Sequence, residues 1–225
     1  REQILTQVIP AVHDWSHLLM KEQVIREITL SSYERETERY GGEALIELAE
    51  GVFHADSLTC LALIRAMMRK EITMREEVIG AVSLIEMLKS FGMNHQEQLA
   101  FFSSYNADKN ELRGFRETKS DLVSLTESIL LNDLAAHSNE GAVLKNSFLL
   151  RAQAIKIFVE KMQSMESSQE LPIPSSMIVN SILHMHCNRF LGRDGKKENG
   201  ARLFAQHTLF ILDNKSKNTT KPVLK

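Results

Sequence analysis

Apolar residues recur at helical spacing along most of the chain. Ile4, Leu5, Val8, Ile9, Val12, Trp15, Leu18 and Leu19 fall on one helical stripe, with Pro10 a mild interruption near its start. Between Val24 and Leu30 the period changes, and apolar and polar residues alternate as in a half-buried strand. One strand makes no sheet, so its partners lie ahead of Arg1 or the segment is only an extended connector. From Glu43 the helical period returns. It predicts a short helix over Glu43–His54, then another reaching Lys70 with Asp56 as its N-cap. Thr73 with Glu76, and Asn94 with Glu97, have capping-box spacing and open two further helices. Longer helices are predicted over Asp108–His137 and Ala142–Gln163, and Pro172 and Pro174 make Met165–Ser176 a loop. Helices over Ser176–Leu191 and Glu198–Leu212 follow, separated by Gly192 and Gly195. The polar, basic stretch 213–225 reads as a frayed tail. The fold class is therefore mainly α: a single multi-helix domain over 1–212, with one short N-terminal strand left from a truncated α+β sheet.

Composition narrows this picture. A chain of 225 residues supports one substantial core. A formal charge of −2 with pI near 6.5 gives no global field for nucleic acid or anionic membrane. Cys60 and Cys187 are far apart on helical segments, which fits a reducing compartment better than a disulfide framework. No apolar run has the length of a membrane span, and no signal-peptide layout opens the chain, so the expected setting is cytoplasmic. The chain starts with Arg rather than Met and is already helical by Ile4, which reads as a piece of something longer. The ten methionines mostly fill helical stripes, as core residues do. There is no Gly-rich phosphate loop, no Gly-x-Ser-x-Gly elbow and no paired CxxC.

Two polar clusters stand out. Residues 33–42 read Tyr-Glu-Arg-Glu-Thr-Glu-Arg-Tyr-Gly-Gly, placing Arg35 and Arg39 among three glutamates and between Tyr33 and Tyr40. Guanidinium forks flanked by aromatic rings suit the grip of an anionic group. A solvated ladder of Arg–Glu pairs, each contributing at most about 1 kcal/mol, explains the same run. The second cluster is His184-Met185-His186-Cys187-Asn188-Arg189. On a helix, positions two apart diverge by about 200°, so His184 and His186 cannot converge on one small target, whereas His184 and Asn188 share a face. That argues against a His-Met-His metal chelate, and a His184/Cys187 pair needs two more ligands to hold zinc. His184 is thus either an acid/base or a core histidine satisfied by a carbonyl. Asn188 either orients its ring or caps the turn before Gly192, and Arg189 is either a ligand or a surface charge. His54 reads as structural, and Arg113 with Arg116 as a solvated face or an anion clamp.

Tyr33-Glu34-Arg35-Glu36-x-Glu38-Arg39-Tyr40-Gly41-Gly42, then Glu47-Leu48-Ala49-Glu50 and Phe53-His54-Ala55-Asp56-Ser57, resembles the C-terminal domain of lantibiotic dehydratases, also called the thiopeptide-type bacteriocin biosynthesis domain. Ser181-Ile182-Leu183-His184-Met185-His186-Cys187-Asn188-Arg189-Phe190-Leu191-Gly192 resembles that family's closing signature, and the two blocks come in the family's order. Residues 60–170 match only in helical character. The resemblance implies a lyase-type module that removes glutamate from glutamylated Ser and Thr of a precursor peptide, leaving dehydroalanine or dehydrobutyrine. It implies His184 as acid/base, Arg35 or Arg39 as the clamp on glutamate or the developing oxyanion, and Tyr33, Tyr40, Asn188 and Arg189 as substrate-binding residues. No metal and no cofactor are implied. The implied partners are the precursor peptide and a glutamylation domain or subunit that handles the tRNA, with no direct nucleic acid or membrane contact here and a homodimer left open. The family's domain opens with strands carrying a His-x-Arg-x-Arg-like segment, and this chain starts beyond that point. A relative that binds or cyclises a modified precursor peptide without eliminating glutamate is the alternative.

Overall fold

The computed structural model describes residues 2–103, 109–130 and 139–219, with only the backbone for 109–112, 216 and 218–219. The chain divides into two units, Arg1–Arg35 and Glu36–Lys225.

In the first unit a π-helical turn over Ile4–Val8 runs into α1, Ile9–Lys21. Pro10 has no N–H to give, and the ladder around it shifts to wider i→i−5 bonds, Ile9 N–H donating to the Ile4 carbonyl. The sequence stripe is real, but Ile4, Leu5, Val8, Trp15 and Leu18 are all exposed on it. The predicted strand over Val24–Leu30 does not form. Val24 N–H is spent on the Leu19 carbonyl at the end of α1, and no described residue offers a ladder partner. Among the described residues there is no strand, and the segment is a connector.

The second unit is a helical domain: a 3-10 turn at Glu38–Tyr40, then α2 (Glu43–Met68), α3 (Glu76–Ser90), α4 (His95–Phe101), α5 (Lys109–Leu130), α6 (Asn139–Ser167), α7 (Ser175–Phe190) and α8 (Gly195–Thr219). Its centre is α3. Every residue from Val78 to Leu88 is buried, Ser83 and Glu86 among them, as befits a helix enclosed by others on all sides. Helices α4, α5, α6, α7 and α8 pack around it, and α2 lies along α6 and α7.

Several boundaries differ from the sequence pattern. Glu43–Met68 is one unbroken helix, because Asp56 spends its carboxylate on other helices instead of turning back to cap its own. Thr73 does not cap α3. Its N–H and hydroxyl both donate to Glu140 Oε1 at 2.8 Å, tying that turn to the start of α6. The Asn94–Glu97 capping box forms as the spacing predicts. The ends of the predicted Asp108–His137 helix lie outside the described residues. Of the expected tail 213–225, residues 213–219 continue α8, with Asp213 accepting from Gln96 Nε2 at 2.6 Å, and 220–225 lie outside the described residues. No helix among the described residues is long and apolar enough to cross a membrane.

Candidate active site

Helix α7 supplies the site's backbone, and Gly192, at φ 78°, turns the chain away just past its C-cap. Ser181, His184 and Asn188 share one face, spaced three and four apart. His184 Nδ1 lies 2.8 Å from Glu198 Oε2, and Asn188 Nδ2 lies 3.1 Å from His184 Nε2. A carboxylate only accepts, so Nδ1 carries the proton and Nε2 presents a lone pair towards the Asn188 amide. Glu198, on the first turn of α8, is fixed from behind: its Oε1 accepts from Arg202 Nε at 2.9 Å, and Arg202 Nη1 donates to Asn180 Oδ1 at 3.1 Å. Arg202 is buried, whereas the His184 side chain is 42% exposed. An accessible imidazole is thus held in one tautomer by a carboxylate that is itself anchored.

The first cluster reaches the same face. The turn before α2 carries Gly41 and Gly42 at φ 92° and 87°, and a Cβ on Gly41 would fall 2.5 Å from Leu45 Cδ1 and 3.1 Å from Ile178 Cδ1. Only glycine lets this turn lie so close to α7. Arg39, half-exposed, then donates from Nε to Ser181 Oγ at 3.3 Å and from Nη1 to Glu36 Oε2 at 3.2 Å. A guanidinium from near the start of the chain is therefore placed one helical turn from His184. Tyr40 does not face solvent. Its ring is buried, edge-on to Phe53 at 4.9 Å. Tyr33 and Arg35 belong to the first unit and are exposed there.

The opposite face of α7 carries His186, 1% exposed, and opens into a buried polar network. His186 Nδ1 donates to Asp56 Oδ1 at 2.7 Å, and Arg151 Nη1 donates to the same oxygen at 3.1 Å and to Ser83 Oγ at 2.9 Å. Arg151 Nη2 donates to Glu86 Oε2 at 2.7 Å, and Ser90 to Glu86 Oε1 at 2.7 Å. Burial alone would raise the Asp56 carboxyl, but His186 and Arg151 outweigh it and hold it well below the usual carboxylate range. Cys60 lies 3.7 Å from His186 Nδ1, so Asp56, Cys60 and His186 converge as three potential metal ligands. The chemistry does not suit a cation. The Arg151 guanidinium already occupies Asp56, and burial followed by the Asp56 charge pushes the Cys60 thiol up to about 12, far from a ready thiolate.

Of the residues expected from sequence, Arg39, His184 and Asn188 meet on one face of α7, and Arg189 points elsewhere, donating to Asp56 Oδ2 at 3.4 Å. Sequence reading missed Glu198, Arg202, Asp56, Arg151, Glu86 and Ser83. The last four carried a signal: each is polar on a helix face whose other members are core, as with Arg151 between Phe148 and Ile155.

Known proteins resemble this chain along most of its length. The family described as lantibiotic biosynthesis dehydratase C-term matches residues 1–209. The subtilin biosynthesis protein SpaB of Bacillus subtilis is 29% identical over 211 residues, 93% of this chain and 20% of that protein. The nisin biosynthesis protein NisB of Lactococcus lactis subsp. lactis is 26% identical over 178 residues, 79% of this chain and 17% of that protein. The chain thus spans about a fifth of the length of these relatives. The crystal structure of the tRNA dependent lantibiotic dehydratase MibB from Microbispora sp. 107891 superposes with a TM-score of 0.80 at 22% identity, over 96% of this chain and 23% of that one, and shows the same fold.

Proposed function

Because the chain belongs to the lantibiotic biosynthesis dehydratase C-terminal family, we propose that its site eliminates glutamate from glutamylated Ser and Thr side chains of a ribosomal precursor peptide, leaving dehydroalanine and dehydrobutyrine. The observation that carries this reading is the meeting of Arg39 and the Glu198-oriented His184 on one open face of α7. In the reaction, His184 Nε2 takes the Cα proton of the glutamylated residue as the Asn188 amide yields its place. The C–H electrons become the Cα=Cβ bond, the Cβ–O bond breaks, and glutamate leaves as a carboxylate with that electron pair. Glu198 compensates the imidazolium, and the Arg39 guanidinium stabilises the negative charge that develops on substrate or leaving group. A glutamylation domain or subunit supplies the ester, so no nucleic acid contacts this site.

The test is mass spectrometry of a glutamylated precursor peptide incubated with the complete protein and with His184→Ala. Wild type should convert the ester to the dehydrated residue, and the variant should be slower by roughly 10²–10⁴, the usual contribution of a positioned acid/base. Equal conversion by both would refute the assignment of His184. Tight peptide binding with no ester loss by either form would identify a binding relative instead.

A further inference from the structure

Away from α7, the helical domain holds a cavity that the elimination mechanism does not use. Helices α3, α5 and α6 enclose about 430 Å³ near the end of α5, a size suited to a small ligand. The described residues that line it all belong to those three helices, so the cavity is separate from the His184 face. Its walls are mainly apolar. Phe148, Leu149 and Ala152 share one face of α6 at helical spacing, and Ile129 joins them from the last turn of α5. Phe148 is buried and Leu149 half-exposed, so the apolar lining runs inward from solvent.

The charged groups of the lining are sorted by sign. Its one carboxylate, Glu86, is already occupied: Oε2 accepts from Arg151 Nη2 at 2.7 Å, and Oε1 accepts from Ser90 Oγ at 2.7 Å. Two ammoniums, Lys89 and Lys145, complete the charged lining. Lys89 donates to the carbonyls of Ile129 and Leu130, which ties the last turn of α5 to α3 and fixes this cation at the wall. Burial lowers the Lys89 ammonium from the ordinary lysine value, and a partly desolvated charge gains most from an incoming counter-ion. Lys145 stands one turn before Phe148 and Leu149 on the same face of α6, half-buried. Among the described residues it has no hydrogen-bond or ion-pair partner. A cationic guest would meet two like charges and a carboxylate already paired. A neutral apolar guest would leave Lys145 unmatched. An apolar body that ends in a carboxylate satisfies both the walls and the charge.

We propose that this cavity is a binding site for a small apolar carboxylate, its chain against Ile129, Phe148, Leu149 and Ala152 and its charge on Lys145. A free acid and the C-terminal end of an apolar peptide present the same chemistry. The site stands apart from the elimination reading, because it shares no residue with it.

Calorimetric titration of the complete protein with octanoate, octanol and octylammonium tests this, since the three share a chain and differ in charge. Wild type should bind octanoate saturably and about 10-fold or more tighter than octylammonium, with octanol between. Lys145→Gln should weaken octanoate about 10-fold, the loss of one charge-assisted contact, and change octanol less than twofold. Lys145→Arg, which keeps the charge, should restore most of the octanoate affinity. Ala152→Leu narrows the cavity and should weaken octanoate and octanol together; if circular dichroism shows it unfolded, the Lys145 variants decide. Acetyl-Gly-Gly-Leu, with a free and with an amidated end, separates the two sources. The tighter of octanoate and the free-ended peptide names the source. No saturable binding of either acid by wild type, a preference for octylammonium, or acid affinity unchanged in Lys145→Gln overturns the proposal. No arm of this test uses the glutamyl ester, so a failure of elimination leaves the cavity site standing, and the converse holds.

Discussion

His184 and His186 are two residues apart on one helix and live in different solvents. His184 lies on the open face of α7 beside Arg39 and Asn188, and its carboxylate partner comes from α8. His186 faces inward to Asp56, Arg151 and Glu86, contributed by α2, α6 and α3. Both are His–carboxylate pairs at hydrogen-bond distance, so composition and pairing do not distinguish a chemical role from an architectural one. Access does. A base must reach its proton, and only the His184 pair is open to a peptide. The inner pair is one node in a lattice that joins four helices, where each charge is offset by another and none is available to a substrate.

The comparison breaks first at Arg151. Replacing it with Met takes from the buried Asp56 and Glu86 the cation they share, so the protein should lose about 3–5 kcal/mol of stability, read as a fall in the denaturant midpoint. A loss below about 1 kcal/mol would mean that the inner lattice is no more than a surface-grade set of ion pairs. On the open side, Glu198→Gln keeps shape and packing but removes the charge facing His184. It should lower kcat about 10–100-fold at unchanged KM, since that charge-assisted hydrogen bond strengthens only as the imidazole takes a proton. A matching rise in KM would place Glu198 in substrate binding instead.

Acid sharpens the contrast with a smaller effect. The folded-state pKa of Asp56 is depressed, so its contribution to stability is complete above the unfolded carboxylate value of about 4 and is lost as pH falls towards the folded value. Unfolding midpoints below pH 4 should therefore fall with a slope that includes up to about 1.4 kcal/mol per pH unit from this one group. An Asp56→Asn variant that still folds should lose that part of the slope. An unchanged slope would assign the acid sensitivity to other carboxylates.

Much of the fold was legible. The helical periods over Ala142–Gln163 and Ser176–Leu191 each mark a helix that the structure contains, and the Asn94–Glu97 spacing marks a helix start that the structure confirms atom by atom. Asp56 misled, because a polar residue inside a helical run reads as a cap until the partners from other helices are known. Val24–Leu30 misled for the converse reason: alternation describes a strand's faces but supplies no neighbour to bond. At the site, Arg39 and His184 were legible as residue types within two dense clusters, and the roles proposed for them come from the resemblance. Glu198 was not legible, since an acidic residue on the first turn of a helix is ordinary there.

By itself the amino-acid order determined periodicity: which stretches are helices, which faces are apolar, and that His184 and His186 must point apart. Those follow from local geometry, which repeats every few residues whatever surrounds it. Only tertiary structure decided which of the two histidines would be covered, and that Gly41 would bring Arg39 onto Ser181 across 142 positions of chain. Packing of remote helices sets burial, and burial, not residue type or pairing, separates the accessible imidazole from the covered one.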